Sequence, residues 1–194
     1  MNDPIALFEP AWLEPQQADE FFTLLRRTIA WRQDQIHLFG RTHDLPRLQA
    51  WYGDPGTDYV YSGIAMKLEP WIPPLAELCD RLTATLGAAG GAPFNSVLCN
   101  LYRDGRDSNG WHSDDERALG PAPVVASISL GATRRFRLRP KRGPAAAIAL
   151  DLPSGSLLVM RAGTQATWQH TLPKTARDVG ERINLTFRRV LPAR

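Results

Sequence analysis

The chain has 194 residues, 43% hydrophobic and 22% charged, with a formal net charge of +3. That fits one domain able to bury on the order of 70% of its unfolded surface, and it excludes disordered, collagen-like and coiled-coil chains. No apolar run approaches the roughly 18 residues of a membrane span, so no membrane partner is expected.

The opening stretch, MNDPIALFEPAWLEP, carries acids and prolines where an export signal has a basic start and a long apolar run. A soluble, cytoplasmic protein is expected. From Pro15 to Ala30 the pattern is helical. Proline opens the stretch, acids come early, and Ala18, Phe21, Phe22, Leu25 and Ile29 share one face. Gln35 to Lys67 differs. It holds Phe39, Gly40, Trp51, Tyr52, Tyr59 and Tyr61, with turn signals at 53–56 and 62–63. It reads as aromatic, polar hairpins that suit a binding lid better than a core. A second helix is predicted from Pro73 to Leu86, with Leu75, Leu78, Leu82 and Leu86 at helical spacing and Gly87 as the cap.

From Pro93 onward short strands follow one another: 94–103, 124–130, 134–139, 147–152, 156–161, 166–172 and 182–190. Such spacing argues for a sandwich or barrel. Cys79 and Cys99 make no CxxC and suggest neither zinc nor a disulfide framework. They read as small buried hydrophobes in a reducing compartment. The run Arg134 to Arg142, RRFRLRPKR, has six bases and no acid. It is either a solvated face or a phosphate contact.

Alternation sends every second strand residue to one face. Asn100 and Tyr102 therefore share a face, as do Arg182, Asn184, Thr186 and Arg188. A solvent-facing antiparallel sheet gives the same pattern. If these faces instead line a barrel, the arginines need an anion, and a dicarboxylate suits their planar forks. His112 and Asp114 stand at i and i+2, so an extended segment points both at one ion. His170 is the other histidine of the strand-rich half. Two imidazoles and one carboxylate with open positions make the facial triad of non-haem Fe(II) oxygenases. A surface histidine beside acids is the alternative. His37 and His43 read as solvated or substrate-facing.

Taken in order, Asn100-Leu101-Tyr102, His112-Ser-Asp114-Asp115-Glu116, His170 and Arg182-Ile-Asn184-Leu-Thr186-Phe-Arg188 resemble the motifs of the AlkB-like dioxygenases. The resemblance runs from about Phe39 to Leu191, and the first 35 residues match loosely. It implies a mainly β chain with flanking helices (α+β), built on a double-stranded β-helix, or jelly roll. Residues 1–92 would supply N-terminal helices and a nucleotide-recognition lid, and 93–194 the catalytic core of one domain.

The resemblance further implies that His112, Asp114 and His170 hold Fe(II). Asn100, Tyr102, Arg182, Thr186 and Arg188 would contact 2-oxoglutarate, with Asn184 beside them. Asp115 and Glu116 would face the substrate base. Tyr61 would stack on a flipped base, with Tyr59 and Val60 beside it, and Phe39 and Gly40 would form a finger filling the gap in a duplex. The implied activity is oxidative demethylation of 1-methyladenine or 3-methylcytosine in DNA, with RNA as a further candidate. It would consume 2-oxoglutarate and O2, release succinate, CO2 and formaldehyde, and be carried out by a monomer. An oxygenase acting on RNA or protein, and a catalytically silent nucleic-acid binder, are the competing functions.

Overall fold

The computed structural model describes residues 4–38, 40–61, 64–87 and 93–191, of which 37–38, 59–61 and 64–65 are described by backbone alone. A short strand, β1 (Ile5–Glu9), precedes helix α1 (Pro15–Thr28). Asp19 and Glu20 fall beyond the first turn of α1. Its ends are therefore complemented by Pro15 at the start and by Arg26 and Arg27 in the last turn, where cations meet the negative end of the helix dipole. Hairpin β2 (Gln35–Leu38) with β3 (Arg41–Asp44) follows, then β4 (Leu48–Gly53). A second hairpin, β5 (Tyr59–Tyr61) with β6 (Ile64–Met66), leads to β7 (Leu68–Glu69). Helix α2 (Pro73–Leu86) ends at Gly87, whose positive φ of 47° makes it the expected terminator.

The remainder is β8 (Ser96–Tyr102), β9 (Asn109–His112), β10 (Val125–Gly131), β11 (Arg134–Pro140), β12 (Ile148–Leu152) and β13 (Ser156–Met160). A short helix α3 (Thr164–Thr167), β14 (Trp168–Leu172) and β15 (Arg182–Arg188) complete it. One sheet runs β1-β13-β10-β15-β8-β4-β7 and the other β12-β11-β14-β9. This is the expected mainly β jelly roll with flanking helices. Among the described residues no helix is long and apolar enough to cross a membrane.

The main core lies on the helical side of the large sheet. Leu25, Leu75, Leu78 and Leu82 from the helices meet Val97, Cys99, Leu101, Ile128, Leu157, Ile183, Leu185 and Phe187 from the strands. This leaves the opposite face of the large sheet for the second sheet. The polar alternates of β8 and β15 therefore point between the sheets, and the solvent-facing alternative does not hold.

Three differences from the sequence reading have physical causes. The stretch 35–67 is not all lid, because β4 pairs with β8 in the large sheet. Trp51 and Tyr52 are buried there, and the Tyr52 hydroxyl accepts from the Ala30 N–H at 2.9 Å. Because β1, β4 and β7 all join that sheet, it runs across the position near 92 where the lid and the core were divided. Finally, β9, unforeseen, carries His112. It is four residues long, contains Gly110 and sits at the edge of the small sheet beside a register shift, so it offers no alternating pattern.

Candidate active site

Strands β9 and β14 pair antiparallel with His112 opposite His170. One ligand atom each from His112, Asp114 and His170 lies within 4.8 Å of the others. His112 Nε2 is 3.9 Å from Asp114 Oδ1, and His170 Nε2 is 4.0 Å from Asp114 Oδ2. The His112 Nδ1 atom bonds the Gly110 carbonyl at 2.8 Å. A carbonyl only accepts, so Nδ1 carries the proton and Nε2 keeps its lone pair toward the cluster. Asp114 is held from behind. Its N–H donates to Gln165 Oε1 at 3.0 Å, and the Ser113 hydroxyl donates to the Trp168 carbonyl at 2.9 Å.

Burial alone would raise the Asp114 carboxyl. Arg188, with the two imidazoles adding, outweighs it and holds the group at about 2. Arg188 Nη2 is 2.9 Å from Asp114 Oδ1, yet among the described residues neither carboxylate oxygen accepts an aligned hydrogen bond. Burial, then the neighbouring His112 and Arg188, push His170 down to about 3 against the pull of Asp114, and burial lowers His112 as well. At neutral pH the cluster is thus two neutral imidazoles and a buried carboxylate with its oxygens under-used. That donor set fits a divalent transition metal.

The same shift has a consequence for the metal-free chain. Folded His170 titrates near 3 and its unfolded form near 6.5, so below pH 6.5 the unfolded chain binds more protons. Stability is full above 6.5 and falls as pH drops toward 3. At pH 5.5 His170 alone should remove about 1.4 kcal/mol. Urea unfolding at pH 7.5 and 5.5 measures this, and equal stabilities would mean His170 is solvated.

The cleft beside the cluster is walled by β8, β10 and β15. Arg182 is opposite Tyr102 and Asn184 opposite Asn100 in register. Arg182 Nη2 donates to Ser129 Oγ at 2.8 Å and to Asn184 Oδ1 at 2.7 Å, while its Nε has no partner among the described residues. Among the described residues no carboxylate pairs with Arg182, although it is 1% exposed. Desolvation pushes it down to about 10, so it stays charged at pH 7. Its guanidinium carbon also sits 5.4 Å from the centroid of the Tyr102 ring. Asn184 Nδ2 donates to Thr186 Oγ1 at 2.7 Å, and Asn100 Oδ1 accepts from Arg47 Nε at 3.0 Å. Asn100, Tyr102, Arg182, Asn184, Thr186 and Arg188 all line one cleft with the three metal-type residues, about 470 Å³ with its open mouth included. A buried guanidinium lacking an anion is the seat a dicarboxylate requires.

The expected substrate residues are less concentrated. Asp115 is exposed and pairs with Lys141 Nζ at 2.9 Å. Glu116 is half-buried and opens a 3-10 turn over Arg117–Leu119. Gly40 stands between β2 and β3 with a φ of 73°, suited to glycine. Phe39 lies outside the described residues, as do the side chains of Tyr59, Val60 and Tyr61, whose backbone forms β5.

Several site residues escaped the sequence reading. Ser127 and Ser129 alternate within VASISLG, a signal that was available. Gln165, from a single-turn helix, gave none. Arg134 belongs to the basic run yet is buried, donating to the carbonyls of Asp104, Asp107 and Pro173 at 2.9, 2.9 and 2.8 Å. It ties together the loops that flank Tyr102 and Arg182.

The profile of the 2OG-Fe(II) oxygenase superfamily matches residues 6–188, which takes in most of the N-terminal part. The chain is 42% identical over 192 residues to the alpha-ketoglutarate-dependent dioxygenase alkB homolog 3 of Bos taurus, an alignment covering 94% of this chain and 65% of that protein. It is 39% identical over 188 residues to the DNA oxidative demethylase ALKBH2 of Mus musculus, covering 92% and 77% respectively. This chain therefore spans a little under two thirds of the length of the bovine relative. Among solved structures, OsALKBH1 superposes with a TM-score of 0.63 at 19% identity, covering 97% of this chain and 100% of that one, which speaks to the fold. With such matches running nearly end to end, the chain belongs to the 2OG-Fe(II) oxygenase superfamily and, within it, to the AlkB-like dioxygenases.

Proposed function

We propose that this chain is an Fe(II)- and 2-oxoglutarate-dependent demethylase of N-alkylated bases, 1-methyladenine and 3-methylcytosine in type, in DNA and also in RNA. One observation carries this reading: a His-Asp-His cluster shares a cleft with a buried arginine that has no carboxylate of its own. The name of the murine relative, DNA oxidative demethylase, supports the substrate class.

His112, Asp114 and His170 would hold the iron. Arg182 would take the far carboxylate of 2-oxoglutarate, helped by Tyr102, while Asn100, Asn184, Thr186 and Arg188 fix its orientation. When bound, the metal and 2-oxoglutarate supply an O2-derived oxidant in a decarboxylation that yields succinate and CO2. The chain's own part is geometric and electrostatic. Ser129 and Asn184 lock the guanidinium of Arg182 before the co-substrate arrives, so little ordering remains at binding. Leu98, Phe136, Met160 and Leu172 line the cleft and limit water. A base methylated at a pairing nitrogen is cationic. Asp115, next to a metal-type residue and paired with Lys141, supplies negative charge at the mouth. The base must leave its stack to reach the cleft, and a methyl that blocks pairing lowers that cost. Hydroxylation of the methyl gives a hydroxymethyl amine that collapses to formaldehyde and the restored base.

The cleft is complete within one chain, which suits a monomer. The two buried, unpaired cysteines suit a reducing cytoplasm. Iron-loaded protein should release formaldehyde and succinate in equal amounts from oligonucleotides carrying 1-methyladenine or 3-methylcytosine, and none without 2-oxoglutarate. Succinate without formaldehyde on both DNA and RNA would point to a different substrate. Neither product would leave a silent binder.

A further inference from the structure

Strand β9 does not alternate. From Asn109 to His112 its residues run half-buried, exposed, exposed, half-buried. The register gives the cause. His112 stands opposite His170 and Asn109 opposite Leu172, so three steps along β9 face two along β14. That extra residue is a bulge, and a bulge re-aims the side chains beside it. In a regular strand residues three apart point to opposite faces. Here Gly110 and Trp111 turn to solvent, and Asn109 and His112 both line the cleft. Asn109 Nδ2 lies 3.2 Å from His112 Nε2. Because Nδ1 donates to the Gly110 carbonyl, Nε2 is an acceptor, and the Asn109 amide donates to it. The same nitrogen stands 3.9 Å from Asp114 Oδ1, among the metal-type groups. The Asn109 backbone is held in place, since its carbonyl accepts from the Thr171 hydroxyl at 2.7 Å. Movement is therefore left to the side chain.

We propose that Asn109 is a positioning residue that competes with the metal for His112: its amide occupies the Nε2 lone pair and must turn away before that nitrogen can ligate. This competition presupposes the metal assignment made above. A neutral imidazole nitrogen of this kind has one lone pair, which cannot serve an N–H donor and a metal at once. The sign of the effect follows from the other ring nitrogen. Were Asn109 the sole restraint on the ring, losing it would cost preorganisation and weaken metal binding. The Gly110 carbonyl already fixes tautomer and orientation through Nδ1, as an outer partner of a metal-binding histidine does. What Asn109 adds is a bond that metal binding has to break, so it lowers affinity and slows entry. Its position suits that role. The His112 side chain is 20% exposed, against 7% for His170 and 1% for Asp114, so the latch sits on the ligand that an entering ion meets first.

Asn109→Val in the full chain keeps most of the volume and removes the donor. Cobalt titration followed by visible absorption should show affinity rising about threefold to tenfold, the equivalent of one neutral hydrogen bond. Stopped-flow mixing should place the gain in the association rate, with the dissociation rate unchanged. The metal-free melting temperature should fall slightly, because a hydrogen bond within the folded chain is lost. Tighter cobalt on a slightly weaker fold is the signature, since a merely structural residue would lose both together. Asn109→Ala guards against a misfit of the valine branch and should move affinity in the same direction. Nitrogen-15 spectra of the metal-free protein should show the His112 Nε2 resonance shift in both variants while Nδ1 stays protonated. Unchanged or weaker cobalt binding in both variants, or a gain confined to the dissociation rate, would overturn the proposal and leave Asn109 a structural amide. Failure of the metal assignment itself would show separately, as wild-type protein that binds no cobalt.

Discussion

Asp114→Ala should abolish metal binding and also cost the fold roughly 3–5 kcal/mol, whereas His112→Ala should abolish turnover and leave stability almost unchanged. The difference follows from what each residue touches. Asp114 is 1% exposed and its carboxylate is the charge 2.9 Å from Arg188, itself 2% exposed. Removing it takes away the carboxylate charge that faces a buried guanidinium. His112 lies at the edge of the small sheet with 20% of its side chain exposed, and its loss opens the Gly110 carbonyl and the Asn109 side-chain amide, both near the cleft mouth, to water. A double variant, Asp114→Ala with Arg188→Met, separates the two roles. Most of the stability should return, because a buried ion pair can be replaced by apolar groups at little cost. Metal binding should not return. Cobalt titration followed by visible absorption reads the site, and urea unfolding reads the fold. Near-wild-type turnover in His112→Ala would refute the assignment of the metal ligands. An undiminished stability in Asp114→Ala would show that the Arg188 pair contributes nothing.

The chemistry was legible in the sequence wherever a strand alternated. Asn100 with Tyr102, and Arg182 with Asn184, Thr186 and Arg188, could be placed on common faces from period two alone. What periodicity could not say was which face is inside. In this fold the apolar face of the large sheet packs on α1 and α2, so the polar face is the interior of the sandwich. A rule that sends polar residues to solvent fails for that reason. Residues that act through a single backbone contact, such as Gln165 on the Asp114 N–H, leave no periodic trace. Arg134 and Arg137 sit three positions apart in one basic run, yet the first is buried and the second exposed. Charge composition cannot separate them, but alternation along β11 together with the loop packed over Arg134 does.

Arg182→Met should make the chain more tolerant of denaturant and much poorer at using 2-oxoglutarate. In the ligand-free chain Arg182 is a buried charge whose hydrogen bonds among the described residues go to neutral partners, Ser129 and Asn184, with Nε unmet there and its pKa pushed down to about 10 by desolvation. Methionine fills a similar volume without that desolvation cost, so metal-free stability should hold or rise. With co-substrate the balance reverses. Loss of a buried charge-assisted partner for a carboxylate is worth roughly 2–5 kcal/mol, which is about thirtyfold to several thousandfold in apparent affinity. Arg182→Lys should recover part of this, since the charge remains but the two-pronged fork is lost. Three readouts check the account together. Thermal melts with and without 2-oxoglutarate should show the ligand-induced shift of the wild type vanish in the methionine variant. The 2-oxoglutarate KM should rise steeply, while cobalt affinity at His112, Asp114 and His170 stays the same, because Arg182 is not among the groups that ligate. An unchanged KM would mean that the far carboxylate is held elsewhere, and that the buried arginine serves only to knit β15 to β10 through Ser129.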